Sequence, residues 1–367
     1  MSADGASLDA AAFARLLAGY CLEVEAGQQV VVASTTLAAP LLLALQRELL
    51  AREAWPLLRV ELPGDSEVFW DAARDVHLDS VAPAMLALAR GTDASLRIQA
   101  PDNTRALAAV EPERGARAAR ARAPLQEAML ARRWCVTVWP TPALAQQAGM
   151  GTAAFAERVR RALFLDQPDP VVAWTALRER QQRLIDRLAG ARELRLQADG
   201  TDLVLSVAGR TWINSDGRRN MPSGEVFTGP HEGSAEGRVR FTLPSTPPGR
   251  SEVSGVELQL RRGEVVAARA ERGDDVLQAT LATDAGARRL GEIGIGTNAG
   301  IDRPLGLTLF DEKLAGTVHL ALGRSYPETG GVNRSAVHWD LICDLRGGGS
   351  LSADGEPILD AGGLHVP

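Results

Sequence analysis

Two runs near the end of the chain, Thr317-Val318-His319-Leu320-Ala321-Leu322-Gly323 and Val337-His338-Trp339-Asp340-Leu341-Ile342, set histidines among apolar residues that recur at every second position. Side chains two apart on a strand point to the same face of a sheet, so each run predicts a strand that buries one face. His319 lies on the less apolar face of its run, and His338 and Asp340 share that face in theirs. Imidazole and carboxylate groups are ligands of divalent cations, so these strands are predicted to carry a metal site.

The rest of the second half is also rich in strand patterns. Residues 193–198 and 202–207 alternate polar and apolar side chains on either side of Asp199-Gly200, a dipeptide typical of hairpin turns. Arg261-Arg262-Gly263 separates two more such runs, over residues 253–260 and 265–270. Few helical patterns intervene, so residues 189–367 are predicted to form a β-rich α+β domain that carries the metal site.

The first half of the chain instead alternates helix and strand patterns. Apolar residues recur at helical spacing over residues 8–22 and 40–52, and three further helical stretches lie between residues 142 and 188. Strand-like runs lie between the helices, at residues 30–32, 57–62, 95–100 and 134–139. This alternation is typical of a mostly parallel sheet covered by helices, so residues 1–188 are predicted to form an α/β domain that ends near Leu188.

Composition and charge argue against several classes of protein. The chain has 367 residues, 45% of them hydrophobic and 23% charged, as expected of a globular protein. Its net charge of −6 and its lack of a basic stripe argue against a nucleic-acid partner. No signal-peptide pattern opens the sequence, and the longest apolar run, residues 37–45, is too short to span a membrane. Cys21, Cys135 and Cys343 are widely spaced, so free thiols and a cytoplasmic location are predicted.

Two isolated acids extend the set of candidate ligands. Glu225 follows a Pro-Ser-Gly turn, which is expected to aim it into a cleft. Glu292 shares a strand face with Gly294 and Gly296, which are expected to leave room for an ion or for substrate backbone. Each feature alone is common in structural pairs and exposed turns. Together, two histidines and three carboxylates offer enough donors for two divalent ions roughly 3.5–4 Å apart, which would suit hydrolysis of an amide.

Five sequence blocks resemble the family of metalloaminopeptidases typified by aminopeptidase T and aminopeptidase S. They are residues 220–228 (NMPSGEVFT), 291–298 (GEIGIGTN), 311–313 (DEK), 316–323 (GTVHLALG) and 325–340, which opens with SYPETGGVN and ends with HWD. The resemblance implies two divalent ions per chain (zinc, cobalt, manganese or magnesium), a two-domain homodimer, and removal of single residues from peptides with a free N-terminus. It also implies six metal-site residues: Glu225, Glu292, His319, Tyr326, His338 and Asp340.

Two catalytic residues are predicted beside the ligands. Tyr326 either ligates an ion or donates a hydrogen bond to the tetrahedral oxyanion, and Glu328 is a candidate general base. His77, His231 and His365 lie in polar or terminal contexts and are not expected to ligate. Two alternatives stay open: a metal-stabilised binding module without turnover, and a dinuclear hydrolase of another amide or an ester. Structural zinc sites favour four ligands dominated by cysteine, whereas six oxygen and nitrogen donors suit an open catalytic site.

Overall fold

The computed structural model describes residues 8–247 and 250–365, which divide into two compact units. The first unit contains the described residues up to Ala173 together with Gly217–Pro222. The second contains Trp174–Asp216 and the described residues from Ser223 onward. This division falls inside a helix, and a short later segment returns to the first unit. The domain boundary near Leu188 stays a prediction.

The first unit is built on a five-stranded sheet in which all paired strands are parallel. Its strands are β1 (Gln29–Thr35), β2 (Trp55–Glu61), β3 (Ala94–Gln99), β4 (Arg133–Val138) and β8 (Asn220–Met221), in the order β2-β1-β3-β4-β8. The four predicted strands and their parallel arrangement are confirmed. The two residues of β8 come from the returning segment and are too short to show a strand pattern in the sequence.

Helices separate these strands along the chain, as the alternation predicts. The helix predicted over residues 8–22 begins as α1, where the Asp9 side chain accepts hydrogen bonds from two backbone N–H groups, and continues as a π-helical segment, Leu16–Cys21. The helices are α1 (Ala10–Arg15), α2 (Ala39–Ala51), α3 (Asp65–Ala72), α4 (Asp75–Asp79), α5 (Pro83–Gly91), α6 (Pro112–Leu130), α7 (Pro142–Gln147), α8 (Thr152–Ala162) and α9 (Pro170–Leu188). Helix α9 belongs to the second unit from Trp174 onward.

The second unit contains two antiparallel sheets. The eight-stranded sheet has the order β12-β11-β10-β6-β5-β16-β17-β18, with strands β5 (Glu193–Ala198), β6 (Thr201–Ser206), β10 (Glu236–Arg240), β11 (Glu257–Arg261), β12 (Glu264–Arg269), β16 (Ser350–Ala353), β17 (Glu356–Asp360) and β18 (Gly363–Leu364). The five-stranded sheet has the order β15-β14-β13-β9-β7, with strands β7 (Ile213–Ser215), β9 (Glu225–Thr228), β13 (Leu290–Gly296), β14 (Thr317–Gly323) and β15 (His338–Asp344). Two short helices are α10 (Asp274–Leu281) and α11 (Thr308–Asp311). Both predicted hairpins are present, as β5–β6 and β11–β12.

One hydrophobic core holds the second unit together, with buried residues from both sheets and from α9 and α10. The five-stranded sheet contributes every second residue of its long strands, such as Val318 and Leu320 on β14 and Trp339 and Leu341 on β15. This confirms the predicted alternation and leaves the opposite face of the sheet for the polar residues.

The cysteines and the hydrophobicity of the helices bear on two expectations drawn from the composition. Cys21, Cys135 and Cys343 carry buried thiols outside any disulfide. No helix in the described ranges combines the length and the hydrophobicity that a membrane span requires.

Candidate metal centre

Four neighbouring strands of the five-stranded sheet present the predicted ligands on one face. Glu292, Ala321 and Asp340 lie directly opposite one another on β13, β14 and β15. Glu225 pairs with Gly296 at the end of β13. Residues two apart on a strand share a face, so the two histidines join the same row. The set on this face is Glu225, Glu292, His319, His338 and Asp340.

Glu225, Glu292 and His319 are buried, and their ligand atoms all lie within 4.8 Å of one another. Nε2 of His319 is 3.1 Å from Oε1 of Glu292 and 3.5 Å from Oε2 of Glu225. The histidine ring lies over Gly294, where an added Cβ would be 2.0 Å from its Cε1 atom, and the backbone carbonyl at Leu314 similarly covers Gly296. The space predicted beside these glycines is therefore filled by the chain itself. Glycine at position 294 lets His319 reach the acids.

His338 faces the same acids from the last strand of the row. Its Nε2 atom is 3.8 Å from Oε2 of Glu292 and 3.7 Å from Oδ1 of Asp340. Its Nδ1 atom is 2.8 Å from the carbonyl oxygen of Arg324. A carbonyl can only accept, so Nδ1 carries the proton, and in the neutral ring Nε2 offers its lone pair toward the acids. Metal-ligating histidines are usually oriented by such a bond on the other nitrogen.

Tyr326 lies at the edge of this cluster. Its ring packs against that of His338, with centroids 5.1 Å apart, and against Phe227 at 5.7 Å. Burial raises the pKa of Tyr326 above its ordinary value, and the charges of Glu292 and Asp340 raise it further. The phenol therefore keeps its proton at neutral pH.

The turn before Glu225 is held in place by buried polar residues. Nδ2 of Asn298 donates to the carbonyl oxygen of Ser223 at 2.8 Å, and Gly224 (φ +113°) packs so closely that an added Cβ would be 2.7 Å from Cβ of Asn298. Gln181, fully buried on α9, donates from Nε2 to the backbone carbonyl of Glu225. No sequence pattern predicted this role for Gln181. The sequence does contain a signal, because Gln181 lies at helical spacing among the Trp and Leu residues that form the buried face of α9.

Two more charged residues belong to the cluster, and neither was predicted from the sequence as part of the site. Lys313 is fully buried, with Nζ 3.4 Å from Oε1 of Glu225, and it forms an ion pair with Glu312. Both residues follow α11, in one of the five blocks that carry the resemblance. A signal was available here as well, because Lys313 is the only lysine of the chain.

Crowded charges shift the pKa values of this centre. Burial raises the pKa of Glu225 to about 7 against the opposing charge of Lys313, and it raises the pKa of Asp340 to about 6. Burial lowers the pKa of His319, but its hydrogen bond with Glu292 and the charges of nearby acids outweigh this effect and raise the pKa to about 10. Without another cation, the cluster therefore retains protons that ordinary acids and histidines would release at neutral pH.

The unsatisfied atoms of the cluster fit a bound metal ion. Oε2 of Glu225 and Oε2 of Glu292 are buried and have no hydrogen-bond partner among the described residues. A buried polar atom left in this way costs about 1–3 kcal/mol, and more if it is charged. Carboxylate and imidazole donors that converge within 4.8 Å are a suitable ligand set for a borderline divalent cation. The residues present therefore fit a divalent metal.

The candidate base Glu328 and the three remaining histidines lie outside this ligand group. Glu328 is exposed on the 3-10 turn Pro327–Thr329. His77 and His231 are exposed and make local contacts: Nδ1 of His77 accepts from the backbone N–H of Arg74, and Nε2 of His231 lies 2.8 Å from the carbonyl oxygen of Ala208. His365 is also exposed.

A family model described as thermophilic metalloprotease (M29) matches residues 8–362. The chain belongs to this family. The resemblance seen in the five blocks is thereby confirmed, and membership implies an enzyme that uses a divalent metal. The M29 chain therefore has both the family's sequence and a cluster of residues suited to such an ion.

Named relatives of this M29 chain are aminopeptidases. It is similar to Aminopeptidase 2 of Geobacillus stearothermophilus, at 35% identity over 332 residues, which is 77% of this chain and 78% of the relative. Aminopeptidase T of Thermus thermophilus is 33% identical over 372 residues, or 88% of each chain. The structure of wild-type AmpT from Thermus thermophilus matches with a TM-score of 0.84 and 28% identity, covering 98% of this chain and 99% of that one. The predicted class, an α/β region followed by a β-rich region, is confirmed.

Proposed function

We propose that this metalloprotease is an aminopeptidase, which hydrolyses the first peptide bond of peptides at a centre of two divalent ions. The observation that carries the proposal is the convergence of Glu225, Glu292 and His319 within 4.8 Å, on the sheet face that also presents His338 and Asp340. The names of the relatives supply the reaction class.

Glu292 is the proposed shared ligand of the two ions. Its Oε1 atom faces His319 and its Oε2 atom faces His338, so one carboxylate reaches both halves of the cluster. Glu225 and His319 would complete one ion site, while His338 and Asp340 would complete the other, with Tyr326 at the edge. When bound, the ions supply Lewis-acid polarisation and activation of water. Zinc, cobalt, manganese and magnesium are the candidates.

We propose Tyr326 as the hydrogen-bond donor of the reaction and a carboxylate as its general base. Since burial keeps the Tyr326 phenol protonated, we propose that it donates a hydrogen bond to the oxyanion of the tetrahedral intermediate. Glu328 remains the base predicted from the sequence.

A peptide with a free N-terminus should be cleaved at its first bond, whereas its N-acetylated twin should be resistant. We propose that the centre binds the free α-amine of the substrate, and acetylation removes the lone pair and the basicity that this binding requires. Mass spectrometry of both peptides, incubated with the zinc- or cobalt-loaded protein, measures the difference. The Asp340→Asn variant, purified in parallel, controls for contaminating peptidases. Equal cleavage of both peptides would refute the exopeptidase assignment and favour a hydrolase of other amides.

We also propose a cytoplasmic homodimer. The location is supported by three buried cysteine thiols outside any disulfide, a form that persists in reducing compartments. The dimer rests on the family resemblance. Light scattering at micromolar concentration should then report about twice the chain mass of 39.0 kDa. A fully active monomer would contradict the dimer and leave the metal centre as proposed.

A further inference from the structure

The chain uses arginine for 39 of its 40 basic residues and lysine only at position 313. Arginine therefore serves every other basic position, on the surface and in ion pairs alike. The single exception is fully buried, in direct contact with a candidate ligand. In a chain that otherwise uses arginine, a lysine at one position indicates that this position requires a compact ammonium group and not a guanidinium group.

Backbone contacts hold Lys313 in place. Its N–H donates to the carbonyl oxygen of Phe310, and its own carbonyl accepts from the N–H of Asn298, both at 3.0 Å. Gly296 lies against the next peptide unit, since an added Cβ there would be 2.1 Å from the carbonyl oxygen of Leu314. The ammonium group therefore starts from a fixed backbone, and its contacts with Glu225 and Glu312 follow from that placement.

We propose that Lys313 is a positioning residue of the metal centre. Its ammonium group forms an ion pair with Oε1 of Glu225 and neutralises the charge of Glu312, so that Glu225 presents only Oε2 to an ion. That oxygen is the one left buried without a hydrogen-bond partner. With Glu312 paired to Lys313, three carboxylates remain for the ions: Glu225, Glu292 and Asp340. A guanidinium is larger and has five donors in a planar fork, which a fully buried site built for one ammonium does not accommodate. This inference rests on the proposed two-ion centre.

Because the chain has one lysine, isotope labelling can report on it without any substitution. Protein grown with lysine labelled with ¹³C at Cε gives one side-chain resonance. We expect this resonance to shift when zinc is added to the chelator-treated protein and to stop shifting at the saturating stoichiometry. A resonance that saturating zinc leaves unchanged would overturn the proposal.

Substitution supplies the second arm of the test. We expect Lys313→Met and Lys313→Arg each to weaken zinc binding by about 10–100-fold, the usual loss when a partner of a metal ligand is removed, and to alter the visible spectrum of the cobalt form. Arg346→Met is the matched control, since it breaks the ion pair with Asp344 at 2.7 Å in the same unit and should leave both readouts unchanged. Wild-type affinity and spectrum in Lys313→Met would overturn the proposal.

The outcomes separate this inference from the proposed function. If a variant fails to fold, the lysine resonance of the unsubstituted chain still decides. If the wild-type protein binds zinc and shifts that resonance without cleaving peptides, aminopeptidase activity fails while the role of Lys313 stands.

Discussion

Asp340→Asn and His338→Ala should each lower kcat/KM for leucine 4-nitroanilide by at least ~10²-fold, since loss of even an outer partner of a metal ligand costs about 10–100-fold. Both side chains lie on the ligand face, with Nε2 of His338 3.7 Å from Oδ1 of Asp340. Steady-state kinetics should show the loss, and elemental analysis should fall from about two ions per chain in the wild type to about one or fewer. Full metal content together with full activity in either variant would contradict the proposed ligand set.

His77→Ala is the control for this pair. His77 is exposed, and its ring accepts a hydrogen bond from the backbone N–H of Arg74, so its loss should leave kcat/KM and metal content unchanged. A large loss in His77→Ala would show that activity depends on histidines in general and not on the cluster.

Metal-free Asp340→Asn should also be more stable than the metal-free wild type at pH 7. Burial raises the pKa of Asp340 from 3.8 to about 6, so its contribution to folding is fully present below about 3.8 and is lost as the pH rises through about 6. Asparagine removes the charge that causes this loss. Thermal unfolding in chelator should therefore show a higher midpoint for the variant at pH 7 and a smaller difference near pH 4. Activity and apo stability would then change in opposite directions.

Local patterns predicted the strand faces on which the candidate ligands lie. The alternation around His319 and His338 correctly divided each strand into a core face and a polar face because a strand period of two is a property of the backbone. The parallel sheet of the first unit also followed from local alternation of helices and strands. In both cases the structure could be predicted because the pattern involves residues that are close together in the sequence.

Contacts between distant segments were beyond local patterns. Gln181 reaches the carbonyl of Glu225 from α9, and Lys313 reaches its carboxylate from the segment after α11, so both depend on how separate elements pack. The sequence predicts open space beside the glycines of β13, whereas in the structure the chain itself fills that space. Sequence showed that residue 294 lacks a side chain, whereas only the pairing of β13 with β14 shows that the His319 ring lies there.

That pairing leads to the second large effect: Gly294→Ala should remove activity and metal binding while leaving all six predicted metal-site residues in the sequence. The added Cβ would lie 2.0 Å from Cε1 and 2.2 Å from Nε2 of His319, so the ring must leave its position against Glu225 and Glu292. Overpacking of a buried site also costs about 1–3 kcal/mol of folding stability. Peptidase assays, zinc content and thermal unfolding measure the three consequences.

Gly233→Ala tests whether such losses come from the ring or from replacing any glycine of this unit. An added Cβ at Gly233 meets nothing within 4 Å, so this variant should keep wild-type activity, zinc content and stability. If Gly294→Ala binds zinc and cleaves peptides as the wild type does, His319 cannot be holding the ion from the position it occupies over Gly294. The ligand set would then have to be rebuilt without this histidine. If only Gly294→Ala fails, one methyl group has displaced a ligand by occupying the space that its ring requires, and the glycine is as necessary to the centre as the histidine.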